Sequence, residues 1–163
     1  MTFRAAFYKG VHAGIPGIYN RGVRWWTRSV YSHVELVFSS GHCASSSYMD
    51  GGVRFKVIDF DPDLWEFVEL PKCLEKAAFQ WFIDHRGQPY DLLGNLHFVV
   101  APVGDNKRKW FCSEAVAAAL GILDSSRYDP GTLHSTLRFA NQPPQAAFFT
   151  QAGADRPIPE SGL

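Results

Sequence analysis

The feature that most constrains the fold is a change of pattern near residue 71. Before it, apolar segments of strand length alternate with turn residues, at 3–8, 31–38, 43–48, 53–58 and 64–70. After it, residues 72–86 carry apolar side chains at helical spacing and stop at Gly87, and the alanine-rich residues 112–120 stop at Gly121. Because sequential strands tend to pair, the last four strands predict an antiparallel meander or a partial barrel. The sequence therefore predicts an α+β fold in which strands pack against helices.

Three weaker patterns complete the prediction. A short helix is expected over residues 19–28, a second helical stretch ends near residue 100, and Pro130 is placed to begin a last short helix. Residues 102–109 are expected to form a polar, basic loop. A chain of 163 residues fits one domain, which we assign to residues 1–141, followed by an irregular, proline-containing tail over residues 142–163.

Composition excludes several classes of protein. Apolar residues make up 46% of the chain and charged residues 20%, as in a globular domain, and the formal net charge of zero provides no basic field for nucleic acid. The N-terminal residues resemble neither a secretion signal nor a membrane span, so we expect a cytoplasmic protein without membrane insertion. The three cysteines include no C-x-x-C pair, which argues against a disulfide framework and a zinc site.

Metal binding has one further candidate set in the sequence, formed by His33, Glu35, His42 and Cys43. The spacing of these four residues matches no established ligand pattern. We therefore expect neither a metal nor a cofactor.

Cys112 is the best candidate for a nucleophile. A thiolate is stabilised by the N-terminal end of a helix and by nearby positive charge. Cys112 opens the segment 112–120, and the basic residues Lys107, Arg108 and Lys109 lie shortly before it. The backbone N–H of the same residue is then a donor for an oxyanion. Buried cysteines in alanine-rich helices are more often plain core residues. Cys73 also begins a helical segment and competes for the role, whereas Cys43 lies within a strand.

His33 is the best candidate for the base among six histidines. It shares a strand with Glu35, whereas the others fall in loops, turns or on helix faces without such a polar neighbour in register. The ordinary pKa of histidine lies near neutrality, and a strand fixes the direction of its ring. The common alternative is a half-exposed strand histidine without a chemical role.

Four motifs in a fixed order decide between these interpretations: Tyr31-Ser-His-Val-Glu35, Asp50-Gly-Gly52, Gly87-x-x-Tyr-Asp91 and Phe111-Cys-Ser-Glu114. With these motifs the chain resembles circularly permuted papain-like cysteine amidases of the NlpC-like superfamily, in the YiiX-like branch that also includes distant relatives of lecithin:retinol acyltransferase. In this permuted branch the histidine strand precedes the cysteine helix, as His33 precedes Cys112 here. The resemblance covers roughly residues 25 to 122, and a weaker one links the chain to small phage and prophage proteins.

The resemblance implies a thiol hydrolase that cleaves an amide bond, such as those of peptidoglycan stem peptides. Cys112 would form an acyl-enzyme, His33 would act as its base, and Tyr31 would be a second oxyanion donor unless it is only a packed aromatic. One alternative is a lipid or thioester acyltransferase, or a thioesterase, on the same site. Another is a non-catalytic phage or binding protein that keeps the fold. The expected partner is a peptide or acyl substrate, and delivery by a phage or virion stays open.

The group that orients His33 has two candidates in the sequence. Glu35 lies on the same strand face as the histidine and is slightly favoured. The returning strand offers Ser45, Ser46 and Ser47, in the position from which relatives usually draw this third residue. A serine hydroxyl stabilises an imidazolium less than a carboxylate does.

Overall fold

The structure is a computed structural model, and it describes residues 2–10, 29–90 and 110–142. Four predicted features lie outside the described residues: the short helix at 19–28, the helical stretch that ends near residue 100, the basic loop at 102–109 and the tail from residue 143. The predicted α+β class is confirmed for the part of the chain that is described.

All five predicted strands are present, each one to three residues shorter than its sequence pattern. They are β1 (Arg4–Tyr8), β2 (His33–Val37), β3 (Cys43–Ser47), β4 (Gly52–Lys56) and β5 (Trp65–Glu69). The turns between β2 and β3 and between β3 and β4 contain Gly41 and Gly51, whose positive φ angles of 89° and 81° suit glycine. These turns make β2, β3 and β4 a run of antiparallel neighbours.

The sheet order is β4-β3-β2-β1-β5, and every pairing is antiparallel. The predicted meander is therefore right for β2 to β4 and wrong for β5, which crosses to the other side of the sheet and pairs with β1. The reason lies in the backbone of β1, whose Ala5, Ala6 and Phe7 are completely buried, because buried N–H and C=O groups without a strand on each side would lack hydrogen-bond partners. The sheet is open, with β4 and β5 at its edges, so the described residues do not form a partial barrel.

Three α-helices are present in the described part of the chain. They are α1 (Glu75–Asp84), which follows a single 3₁₀ turn at Lys72–Leu74, α2 (Cys112–Ala119) and α3 (Pro130–Ala140). Asp129 caps α3 by accepting from the backbone N–H groups of Gly131 and Thr132 at 2.8 and 3.1 Å. The expected ends at Gly87 and Gly121 and the start at Pro130 are confirmed within a few residues.

Two apolar clusters cover the two faces of the central strand β2. Val34, Leu36 and Phe38 join α2 and α3 in the larger cluster, and Val37 belongs to the smaller one with Ala6 and other residues. The predicted alternation along β2 is thus confirmed. A charged side chain on β2 leaves water when the chain folds, which disfavours the charge unless another group pairs with it.

Candidate active site

The candidate site begins at the start of α2, where Cys112 is the first helical residue. Phe111 caps the helix with an extended backbone, at φ −99° and ψ 169°, and Cys112 is only 4% exposed. The first N–H groups of a helix have no partner within it, and they carry partial positive charge. The structure therefore confirms the predicted helix-end position of the cysteine.

The entry into α2 is held by Trp110, two residues before the cysteine. Its backbone N–H donates to the carbonyl of Pro89 at 3.1 Å, and its indole Nε1 donates to Gln88 Oε1 at 2.5 Å. Its carbonyl accepts from the Ser46 hydroxyl at 2.6 Å. Three hydrogen bonds thus fix the backbone that leads to Cys112, and sequence reasoning missed this clamp because its members lie far apart in the chain.

His33 begins β2 at the end of the sheet, and its side chain contacts both other members of the predicted site. Its Nε2 lies 2.7 Å from Glu35 Oε1, and the Cys112 side chain is close enough to the ring to raise the pKa of the imidazole. Because Nε2 is held by the carboxylate, the nitrogen left for the sulfur is Nδ1. The structure therefore brings Cys112, His33 and Glu35 together in one chain of contacts.

The electrostatics of His33 favour its protonated form. Burial lowers the pKa of the imidazole, but the Cys112 side chain and the Glu35 carboxylate outweigh burial and raise this pKa to about 10. An imidazolium at neutral pH stabilises a neighbouring thiolate, which is the nucleophilic form of cysteine. The pair of Cys112 and His33 is thus arranged for proton exchange.

Glu35 is almost completely buried, at 1% exposure, and is held on both oxygens by Arg54. Arg54 Nη1 donates to Oε2 at 2.7 Å, and Nη2 donates to Oε1 at 2.5 Å. Burial alone would raise the pKa of this carboxyl, but the hydrogen bonds from Arg54 and His33 hold the pKa below its ordinary value. Glu35 is therefore a carboxylate when it contacts the imidazole.

The serines of β3 have other partners. Ser45 Oγ donates to the carbonyl of Val34 at 2.7 Å, Ser46 Oγ donates to that of Trp110, and Ser47 is the half-buried last residue of the strand. Of the two candidates that the sequence left open, the group on the imidazole among the described residues is Glu35. Whether it acts in catalysis stays a prediction.

Tyr31 lies in a different cluster. Its hydroxyl donates to Glu66 Oε2 at 2.6 Å and is 3.2 Å from His134 Nε2, and this ring nitrogen lies 3.0 Å from Glu66 Oε1. Burial and the hydrogen bond to Glu66 raise the pKa of the Tyr31 phenol. The hydroxyl proton is thus directed at Glu66, and we do not carry Tyr31 into the mechanism as an oxyanion donor.

Ser32, directly before His33, has a buried hydroxyl oxygen without a hydrogen-bond partner among the described residues. Leaving such a group unpaired costs about 1–3 kcal/mol. Sequence reasoning passed over this serine because nothing in its local pattern distinguishes it. Among the described residues, this hydroxyl is the buried side-chain group without a partner, and it belongs to the residue that precedes the candidate base.

The other two cysteines have different surroundings. Cys43 is buried in β3, where burial and then the charge of Glu35 raise the pKa of its thiol to about 11. Cys73 is exposed in the 3₁₀ turn that leads directly into α1. These surroundings favour Cys112 as the nucleophile.

Arg54 was not predicted as a site residue. Arg54 on β4 pairs with Ser45 on β3. Leu36 on β2 pairs with Ala44, so the register places Glu35, the residue before Leu36, opposite Ser45 on its other side. Opposite charges at these registered positions were a usable signal, but only after the strand pairing was known.

The described residues contain no cluster of three or more metal-ligating side chains, and none of their helices is long and apolar enough to cross a membrane. No protein-family model matches this sequence, and no curated protein matches it either.

Proposed function

We propose that the protein is a cysteine hydrolase that cleaves an amide bond through a Cys112 acyl-enzyme, with His33 as base. The observation that carries the proposal is the contact of His33 with both the Cys112 side chain and the Glu35 carboxylate at the start of α2. A base that lies next to the nucleophile and hydrogen-bonds with an orienting carboxylate is the arrangement that thiol catalysis uses.

The reaction would proceed in two halves. His33 takes the Cys112 proton, the thiolate forms a bond to the carbonyl carbon, and the imidazolium returns its proton to the leaving amine as the C–N bond breaks. The backbone N–H of Cys112 donates to the oxyanion in this step. Water then attacks the thioester and loses a proton to His33. The C–S bond breaks, His33 returns the proton to the sulfur, and the carboxylic acid product leaves the free thiol behind.

The fold and the class of substrate are part of the same proposal. A histidine on a central strand that precedes a helix-opening cysteine, both on an antiparallel sheet flanked by helices, supports the permuted papain-like architecture. The resemblance to the NlpC-like amidases favours a short peptide bond, such as that of a peptidoglycan stem, as the substrate. A phage origin would provide a route of delivery.

A second candidate function is acyl transfer or thioester hydrolysis on the same site. The observation in its favour is aromatic: the rings of Trp81 and Trp110 meet at 4.9 Å, and Tyr48 lies 6.1 Å from Tyr90, all half-buried or exposed and grouped around the segment that enters α2. Such rings suit a long acyl chain.

Mass spectrometry of the intact protein tests both functions. After brief exposure to a panel of short peptides and of acyl thioesters, we expect a mass increase that maps to Cys112 and identifies the acyl group. Cys112→Ala and His33→Ala should each abolish turnover, and the double variant should be no worse, because residues that act as one unit are not additive. Cys73→Ala is the matched control and should keep full activity. Turnover that survives in Cys112→Ala would refute covalent catalysis.

A further inference from the structure

The ion pair between Arg54 and Glu35 is more elaborate than stability requires. The two side chains are 14% and 1% exposed, and both carboxylate oxygens accept from the guanidinium. Replacing a buried ion pair by apolar residues of similar size is often neutral or stabilising, so such a pair is weak evidence for a role in stability. The geometry around the carboxylate indicates what else this pair does.

Glu35 Oε1 accepts from two groups at once, Arg54 Nη2 and His33 Nε2. The two-pronged contact fixes the plane of the carboxylate and therefore determines which oxygen faces the imidazole. A carboxylate bound to His33 alone would keep its own side-chain rotation. Arg54 removes that freedom without contacting the imidazole in any hydrogen bond that the structure records.

We propose that Arg54 is a positioning residue for the thiol–imidazole pair, which it orients through Glu35. This inference rests on the proposed function, because it assigns Arg54 to the same site. The guanidinium keeps Glu35 charged, the charged Glu35 keeps a proton on His33 Nε2, and Nδ1 is thereby directed at Cys112.

Arg54 is itself held in place from the turn before β4. Its Nε donates to Asp50 Oδ2 at 2.9 Å, and Lys56 Nζ donates to Asp50 Oδ1 at 3.2 Å. The turn therefore supports the guanidinium from the side opposite to Glu35, and the planar fork of arginine can satisfy both carboxylates together.

The charged and titratable groups near Glu35 come from four strands. His33 is on the same strand as Glu35, and Arg54 is on β4. Cys43 is on β3, and the charge of Arg4 on β1 acts to lower the pKa of the Cys43 thiol. Of these groups, Arg54 and His33 contact the carboxylate through hydrogen bonds. A change at Arg54 is therefore expected to act on the protonation of Glu35 and His33 before any other group.

The test compares Arg54→Gln with Lys56→Gln, because Lys56 shares the Asp50 partner but does not contact Glu35. The rate of Cys112 alkylation by iodoacetamide is measured against pH and mapped by peptide mass spectrometry. The His33 imidazole is titrated by NMR in the same variants. We expect the acid limb of the alkylation profile to move up by about 1–3 pH units in Arg54→Gln, the size of shift that a close opposite charge produces. In Lys56→Gln both readouts should match the wild type.

Two further variants keep the inference falsifiable if Arg54→Gln does not fold. Arg54→Lys keeps the charge but loses the fork, so the acid limb should stay near the wild-type position while the alkylation rate falls. In Glu35→Gln with Arg54→Gln, no lone charge remains buried, and the profile should match that of Glu35→Gln alone.

Unchanged profiles and an unchanged His33 titration in the folded Arg54 variants would overturn the inference and leave Arg54 a purely structural residue. None of these readouts needs a substrate. Failure to find an acyl adduct on wild-type Cys112 would therefore count against the proposed function separately.

Discussion

Neutralising Glu35 is expected to lower both the stability of the fold and the activity of the site. Glu35→Gln keeps the shape of the side chain but turns one of its two oxygen acceptors into an amide donor. The native carboxylate accepts three hydrogen bonds of 2.5–2.7 Å, two from Arg54 and one shared with His33. The amide can keep only part of this set, and it leaves the guanidinium without its counter-charge in a buried place.

The size of the stability loss follows from that geometry. Removing one partner of a buried ion pair costs about 3–5 kcal/mol. Because Arg54 keeps its contact with Asp50, we expect Glu35→Gln to lose about 3 kcal/mol, at the lower end of that range. Equilibrium unfolding in urea measures the change. Glu69→Gln, an exposed glutamate on β5, is the matched control and should stay within about 0.5 kcal/mol of the wild type.

The loss of activity should exceed the loss of folded protein. Without the carboxylate, the imidazolium of His33 loses the charge that favours it, so we expect turnover to fall by about 10²-fold or more under conditions where the variant is fully folded. Ser45→Ala and Ser47→Ala should keep near-normal turnover, because the His33 imidazole hydrogen-bonds with Glu35. Near-full activity in Glu35→Gln, with a large loss in Ser45→Ala, Ser46→Ala or Ser47→Ala, would refute the assignment.

Three further predictions follow from the other titratable groups. At limiting iodoacetamide near neutral pH, Cys112 should be alkylated before Cys73, which peptide mapping by mass spectrometry measures. Preferential labelling of Cys73 would instead identify Cys73 as the nucleophile. His33 has its pKa raised from 6.5 to about 10, so its contribution to stability is complete below about pH 6.5 and disappears as the pH rises towards 10. The unfolding free energy of the wild type should therefore fall more over that range than that of His33→Gln, and parallel curves would contradict this. Glu66, with a pKa lowered mainly by its hydrogen bonds to Tyr31 and His134, stabilises the protein above its ordinary pKa of 4.5. Acid should hence destabilise the wild type more than Glu66→Gln in thermal unfolding at pH 3 to 5.

The elements of the fold were predictable because their signals are local. Alternation of apolar and polar residues fixed β2, and the glycines after α1 and α2 marked where those helices end. The place of β5 was not predictable from such signals. It depends on the burial of β1 on both sides, which is a property of the assembled sheet rather than of any window of sequence.

The residues of the candidate site also fall into those with a local signal in the sequence and those without one. Cys112 and His33 stand in recognisable local settings, a helix start and a half-polar strand, and the structure places them in contact. Arg54 and Trp110 act through contacts across strands and loops, which no spacing in the sequence reveals. Tyr31 was proposed from its position next to His33, but the direction of its side chain is set by Glu66 and His134 on distant elements.

The burial of a charged residue, Glu35, on the central strand β2 is the strongest support for a functional site. β2 is a central strand with both faces covered, the position where an apolar residue at every site would be most stable, yet it carries Glu35 at 1% exposure. That carboxylate must be matched by Arg54, whose own charge is matched by Asp50. A chain of charges whose inner pair is buried gives little net stability, and departures of this kind are expected where a site does chemistry. Its inner end is the imidazole in contact with Cys112, so the cost of burying Glu35 is best explained by the need to hold a charged, oriented His33 beside the thiol.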